Sequence, residues 1–214
     1  MSNSSQQLNY LENIIVQLPE RRIFSRLGLN HHKSQVSSDE LVKFKLLINS
    51  AFDCCETRGV WTVVPITSCN LESGKINFSA NGNFELQSKK LAKLLINSSS
   101  AAFFSATVGS KVISERDLLI KNNKSSAALI YDAVGSEVVD EAMNFIQKII
   151  AQNISRTSQK LTKMRFSAGY GDLDLSSQGF FYDLLNLAKF EIKLSDSFIM
   201  TPEKTVTALI GIEQ

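Results

Sequence analysis

This 214-residue sequence contains only three cysteines and two histidines. Cys54 and Cys55 are adjacent and Cys69 stands alone, a pattern that gives neither a disulfide framework nor a zinc-ligand spacing. We therefore expect small, buried or half-buried thiols in a reducing compartment. His31 and His32 are neighbours in a polar stretch without a nucleophile signature nearby, which disfavours Ser-His-Asp and Cys-His catalysis.

The sequence also has no large excess of charge of either sign, because 23 Lys and Arg are balanced by 21 Asp and Glu, for a net charge of +2. That balance disfavours a nucleic-acid partner bound through its phosphates. Neither a secretory leader nor an apolar run of membrane-spanning length is present, so we expect a cytoplasmic protein with no membrane partner. No phosphate-binding loop or dinucleotide-binding glycine motif occurs, which leaves nucleoside triphosphate and Rossmann chemistry without support.

What is present is an irregular alternation of helical and extended patterns. Ser37 and Glu40 have capping-box spacing at the start of an amphipathic helix that ends before Gly59. The segment 125–154 has helical periodicity throughout and predicts one long helix despite Gly135. Further helices are predicted over 88–95, 110–121 and 176–190, and strands over 60–66, 75–80, 101–109, 191–194, 198–200 and 205–212. The strands are short, so we predict an α+β fold with a mostly antiparallel sheet.

We divide the chain into an N-terminal helical arm, residues 1–36, and a globular part, residues 37–214, which form one unit. The arm carries a helical pattern around Leu8, Leu11 and Ile14, followed by the basic stretch RRIFSRLGLN. No internal repeat, low-complexity tract or linker indicates a second globular unit.

The stretch RFSAGYGD, residues 165–172, is the strongest candidate site. Glycine permits a turn with positive φ or the close approach of a ligand, and Tyr170 offers a flat face with a polar tip. Arg165 offers a planar fork for a carboxylate or a phosphate. These groups suit a small, flat, zwitterionic ligand, although a plain surface loop is the alternative. Asp172 and Asp174 are interpreted as acids at the start of the helix near residue 176.

Several stretches in order resemble the reactivation domain of cobalamin-dependent methionine synthase, and more closely its free-standing versions. They are RRIFSRLGLN, AAFFSATVGS, LIYDAVGSEVVDEAM, RFSAGYGDLDLSSQ and DSFIMTPEKTVTALIGI. The resemblance implies a C-shaped α+β domain with a twisted antiparallel sheet flanked by helices. It also implies S-adenosylmethionine as ligand, bound in a shallow groove by an Arg-x-x-x-Gly-Tyr signature that falls on Arg165, Gly169 and Tyr170.

The resemblance further implies a role for each site residue. Arg165 would pair with the carboxylate of the ligand, the backbone of Phe166 to Ala168 would bond the adenine edge, and Tyr170 would lie near the sulfonium. An acid on the long helix would contribute, and Asp140 or Glu141 matches it by position. The family usually has a proline-rich loop here, and this chain departs from it at Phe166, Ser167 and Gly171.

The function implied is that of a reactivation subunit acting in trans. Its partner would be a cobalamin-binding methionine synthase or another corrinoid protein, which alone would bring cobalamin, and flavodoxin or ferredoxin would donate an electron. The chain would position the methyl donor, and would not be a complete methyltransferase. The altered loop favours an alternative, a non-catalytic binding or sensor module that keeps the fold with a different ligand or partner.

Overall fold

The computed structural model describes residues 7–29, 37–80 and 82–214, so His31, His32 and Asn81 lie outside the described residues. The strands are β1 (Asn9–Leu11), β2 (Arg58–Cys69), β3 (Lys75–Ser79), β4 (Asn83–Gln87), β5 (Ser98–Thr107), β6 (Lys160–Leu161), β7 (Lys193–Leu194), β8 (Met200–Thr201) and β9 (Thr205–Glu213). The α-helices are α1 (Glu20–Arg26), α2 (Ser38–Phe52), α3 (Lys89–Leu95), α4 (Lys111–Lys121), α5 (Ser125–Ser155) and α6 (Gln178–Leu184). Short 3₁₀ helices cover Leu175–Ser177 and Leu187–Phe190.

The main sheet has the order β4-β3-β2-β5-β9-β6, and β1 pairs with the first half of β2. All pairings between the described strands are antiparallel. The sheet curls into a half-barrel, and α-helices pack beside it. The fold is therefore α+β, as the sequence predicts. β5 is its centre, because it pairs with β2 along one edge and with β9 along the other.

Side chains at successive positions of β5 face opposite sides of the sheet, and both sides are buried. Ala102 and Phe104 pack into one core with α1, α2 and α5, whereas Ala101 and Phe103 pack into a second core with α3 and α6. A strand buried on both faces has a continuous apolar sequence, which explains the run AAFFSA.

The long helix α5 lies over the first core and runs without a break from Ser125 to Ser155, which confirms the prediction of one helix. A Cβ at Gly135 would lie 3.3 Å from Cγ of Lys204. The glycine therefore makes room for the lysine stem, whose ammonium reaches Asp132 at 2.7 Å. Gly135 is a close-packing point within an intact helix.

The N-terminal segment differs from the prediction. Residues 9–11 form β1 instead of a helix, with Asn9 opposite Trp61 and Leu11 opposite Gly59. Three consecutive residues in register with the edge of β2 satisfy their backbone groups across the sheet, and this pairing overrides the weak helical pattern. The helix of this segment is α1, which begins after Pro19 and buries Ile23 and Phe24.

The helix predicted over 176–190 is also interrupted. Asn186 adopts φ of +47° and separates α6 from the following 3₁₀ helix. Asparagine tolerates this left-handed conformation better than most residues, and it ends the α-helical hydrogen bonding.

Two other local predictions are confirmed. Ser37 forms the capping box of α2, since its hydroxyl accepts from Glu40 N at 3.3 Å and Glu40 accepts from Ser37 N at 3.0 Å. Cys54, Cys55 and Cys69 are free and partly buried. Burial raises the pKa of Cys55 to about 12, so this thiol is not activated as a nucleophile.

Candidate functional site

The RFSAGYGD segment begins along the edge of β9 that does not pair with β5. Phe166 N donates to the carbonyl of Leu209 and Leu209 N donates to the carbonyl of Phe166, both at 2.8 Å. The ring of Phe166 is buried in the second core. The segment that carries Arg165 is therefore joined to the central sheet by a single antiparallel bridge.

The chain then folds into a tight turn around Tyr170. Gly169 N donates to the Leu173 carbonyl at 2.9 Å, and Tyr170 N donates to the Ser167 carbonyl at 3.1 Å. Gly169 and Gly171 have φ of +77° and +66°, a conformation in which a side chain would be strained. The two glycines are thus needed for the turn that presents Tyr170, a residue that is 54% exposed.

Asp172 stabilises this turn in a way that the sequence analysis interpreted wrongly. Its carboxylate accepts from Ser88 Oγ, from Lys89 N at 2.9 Å and from Lys90 N at 3.2 Å. It therefore caps α3, a helix more than eighty residues away in sequence, and not the helix that follows it. Asp174 does act locally, accepting from Ser176 N at 2.8 Å at the start of a 3₁₀ helix.

The cap predicts a pH dependence of stability. The hydrogen bond from Ser88, together with those from Lys90 N and Lys89 N, lowers the pKa of Asp172. A carboxylate whose pKa is lower in the folded state stabilises the fold above the unfolded pKa of about 4 and loses that effect as the pH falls. Urea unfolding should show Asp172→Asn less stable than the wild type at pH 6, with the difference shrinking towards pH 3. The exposed Asp196→Asn is the control, and an equal deficit at both pH values would contradict the assignment.

Arg165 is held in place by the long helix. Its Nη1 donates to Oδ1 of Asn144 at 2.9 Å, and its Nη2 lies 3.4 Å from Oδ1 of Asp140. The two partners lie one helical turn apart, so they face the same side of α5. The guanidinium side chain is 27% exposed, and the carboxylate side chain of Asp140 is 42% exposed. A fixed, accessible arginine beside a carboxylate can bind a group that carries both charges.

Glu141, the other candidate acid, has different partners. It pairs with Arg22 of α1 and accepts from Nδ2 of Asn144 at 3.3 Å. Of the two candidate acids, Asp140 is thus the one in direct contact with Arg165. Asn144 connects Glu141 to Arg165, since its side-chain amide donates to Glu141 and accepts from Arg165.

The remaining predicted residues lie on the turn itself. The rings of Phe166 and Tyr170 meet edge to face with centroids 5.1 Å apart. Both backbone groups of Phe166 are bonded to Leu209, and the Ser167 carbonyl accepts from Tyr170 N, so the N–H groups of Ser167 and Ala168 are the better candidates for the predicted contact with adenine. Ala168 is partly buried against the second core.

Sequence reasoning missed Asn144 and the arginines of α1. Asn144 follows Asp140 by four residues, a spacing that places both on one face of a helix. Arg22 and Arg26 have the same spacing, as do Glu137 and Glu141 on α5. Two arginines and two glutamates at matching helical intervals are a signal that these helices pair, and it could have been found in the sequence.

Within the described residues, no group of histidine, cysteine, aspartate and glutamate is arranged to hold a metal ion. No helix in that part of the chain is long and apolar enough to cross a membrane.

Comparison with known proteins identifies the fold. No protein-family model matches the chain, and no curated protein matches it significantly. A solved structure, described as the MetH reactivation domain bound to AdoHcy, superposes on 97% of this chain and 79% of its own with a TM-score of 0.62. The chain has the reactivation-domain fold. Sequence identity over the match is only 13%, so the likeness concerns the fold and leaves the ligand of this chain to be argued from its residues.

Proposed function

We propose that this protein binds S-adenosylmethionine and acts as a reactivation subunit for a cobalamin-dependent methionine synthase or a related corrinoid methyltransferase. The observation that carries the proposal is the position of Arg165, which is held by Asn144 and Asp140 on the reactivation-domain fold. The MetH domain of the same fold was solved with AdoHcy, the demethylated form of the proposed ligand.

The residues fit the chemistry of this ligand. Its methionine moiety carries a carboxylate and an ammonium, for which Arg165 and Asp140 supply opposite charges in contact with each other. The exposed ring of Tyr170 is an apolar face with a polar tip, suited to the flat part of the ligand or to the neighbourhood of its sulfur. Asp140, whose side chain is 42% exposed, adds a negative charge that favours a sulfonium cation, whereas the charge of Glu141 is compensated by Arg22.

The contribution of the chain to the reaction would be binding and orientation. One electron from a flavodoxin or ferredoxin and one methyl cation from S-adenosylmethionine would together convert cob(II)alamin on the partner protein to methylcobalamin, with S-adenosylhomocysteine as the other product. Arg165 would fix the methionine end of the donor so that the S-methyl group faces the partner. The cofactors perform the bond making and breaking, so no general acid or base is needed from this chain.

Isothermal titration of S-adenosylmethionine into the full chain tests ligand binding. We expect saturable one-to-one binding of S-adenosylmethionine and S-adenosylhomocysteine, with adenosine and methionine each binding far more weakly because each offers only half of the contacts. No heat and no thermal shift at millimolar ligand, or equally strong binding of adenosine alone, would contradict the proposed ligand and favour a binding module with a different one.

A reconstitution tests the partner. A methionine synthase fragment that bears cobalamin but lacks its reactivation domain is oxidised to the cob(II) form and mixed with reduced flavodoxin, S-adenosylmethionine and this chain. We expect the absorption spectrum of methylcobalamin to appear only in the complete mixture. A spectrum that stays in the cob(II) form with ligand-saturated chain would remove this partner class.

A further inference from the structure

Helices α1 and α5 meet through a charge cluster that consists of Arg22, Arg26, Glu137 and Glu141. Nε of Arg26 lies 2.6 Å from Oε1 of Glu137, and Nε of Arg22 lies 3.4 Å from Oε2 of the same glutamate. Nη2 of Arg22 also pairs with Oε2 of Glu141. Arg22 therefore bridges two glutamates that lie one turn apart on α5.

This cluster is continuous with the candidate site. Asn144 donates to Glu141 at 3.3 Å and accepts from Arg165 at 2.9 Å, so its side-chain amide is bonded at both ends. Rotation of the amide away from either partner would lose a bond to the other. Two side chains, Glu141 and Asn144, thus connect the guanidinium of Arg22 to that of Arg165.

The two glutamates of the cluster differ in their surroundings. Glu137 is buried, and both Arg22 and Arg26 offset its charge. Glu141 has a side chain that is 29% exposed, and its ion pair is with Arg22. Loss of the positive charge at Arg22 would leave Glu137 paired with Arg26 but would leave the charge of Glu141 uncompensated beside Asn144 and Arg165.

We infer that Arg22 is a specificity-determining residue which, by neutralising Glu141, limits the preference of the site for a cationic ligand over a neutral one. The inference rests on the proposed function. S-adenosylmethionine and S-adenosylhomocysteine have almost the same shape and differ by the methyl group and the positive charge on sulfur. The ratio of their affinities therefore reports the electrostatic potential at the sulfur. Because charges in a partly buried site are weakly screened, an uncompensated Glu141 would favour the sulfonium form.

The test is the ratio of two dissociation constants, that of S-adenosylhomocysteine over that of S-adenosylmethionine, measured by titration for each variant. In Arg22→Gln we expect this ratio to rise about three- to tenfold. Arg22→Lys, which keeps the charge, should return the ratio to near the wild-type value. Arg21→Gln, at the neighbouring exposed arginine, removes the same charge outside the cluster and should leave the ratio unchanged.

The ratio separates electrostatics from a structural role, since a distorted site would weaken both ligands together. Circular dichroism checks that the Arg22→Gln variant is folded. An unchanged ratio in a folded Arg22→Gln, or an equal rise in Arg21→Gln, would overturn the inference. The proposed ligand would still stand in that case, provided that the wild type binds it. If the wild type binds neither ligand, the proposed function fails and this inference fails with it.

Discussion

Replacement of Gly211 by alanine should lower the free energy of unfolding by about 2–3 kcal/mol, the cost of overpacking a rigid core. Gly211 lies in β9 opposite Ala101. A Cβ at this position would lie 2.6 Å from Cδ2 of Leu95 and 2.7 Å from Cγ2 of Thr162, and it would also collide with Oγ of Ser98. These contacts come from α3, from β5 and from the residue that follows β6, so no single rotation relieves them.

Thr162 is the least able to move. Its N donates to the Gly211 carbonyl at 2.9 Å, and its Oγ1 accepts from Gly211 N at 3.1 Å. Displacing its methyl group would break a two-point attachment that precedes Arg165 by three residues. The same substitution should therefore also weaken ligand binding, because the edge segment that carries Arg165 must shift.

Urea unfolding followed by circular dichroism measures the effect, and Gly179→Ala is its matched control. Gly179 lies in α6, where a Cβ would be in ordinary contact with Phe198 at 3.8 Å. In a helix alanine is favoured over glycine by up to about 1 kcal/mol, so this control should be neutral or stabilising. A Gly211→Ala protein as stable as the wild type would show that the packing around β9 relaxes freely.

Local chemistry made much of this fold predictable. Periodicity and a capping box located α2, and an uninterrupted helical pattern located α5 in spite of Gly135. The apolar run of β5 predicted a buried strand, because burial on both faces removes the usual alternation of polar and apolar residues.

The failures occurred where distant residues decide the local structure. β1 is a strand because it pairs with β2, about fifty residues later, and nothing within residues 8–15 encodes that pairing. Asp172 caps α3 and not the helix next to it. In both cases the backbone groups to be satisfied lie elsewhere in the chain, so a window of neighbouring residues cannot reveal the partner.

The candidate site was only partly accessible to sequence reasoning for the same reason. Arg165, Gly169 and Tyr170 form one short motif, and the turn they require follows from the glycines. The contact of Arg165 with Asp140 and Asn144, by contrast, depends on how α5 crosses the sheet. The family resemblance reduced the candidates for the acidic site residue to Asp140 and Glu141. The geometry shows that Asp140 is the one in contact with Arg165. Whether Asp140 contributes to ligand binding is a question for experiment.

Substitution of Arg165 should have the largest effect on binding. Arg165→Ala removes a partly buried guanidinium whose proposed partner is the ligand carboxylate, and loss of such a charged pair weakens binding by at least about 100-fold. Arg165→Lys keeps the charge but loses the planar fork, so an intermediate loss of about tenfold is expected. Titration of S-adenosylmethionine measures both, and Arg156→Ala, at an exposed arginine after α5, is the control for loss of positive charge.

A double-mutant cycle then separates two roles of Asp140. If Asp140 acts by orienting Arg165, Asp140→Asn will weaken binding in the wild type but much less in the Arg165→Lys background, because the orientation is already lost. If Asp140 binds the ligand ammonium itself, the two losses will add. Full binding by a folded Arg165→Ala protein would contradict the pairing of Arg165 with the ligand carboxylate, and with it the orienting role of Asp140.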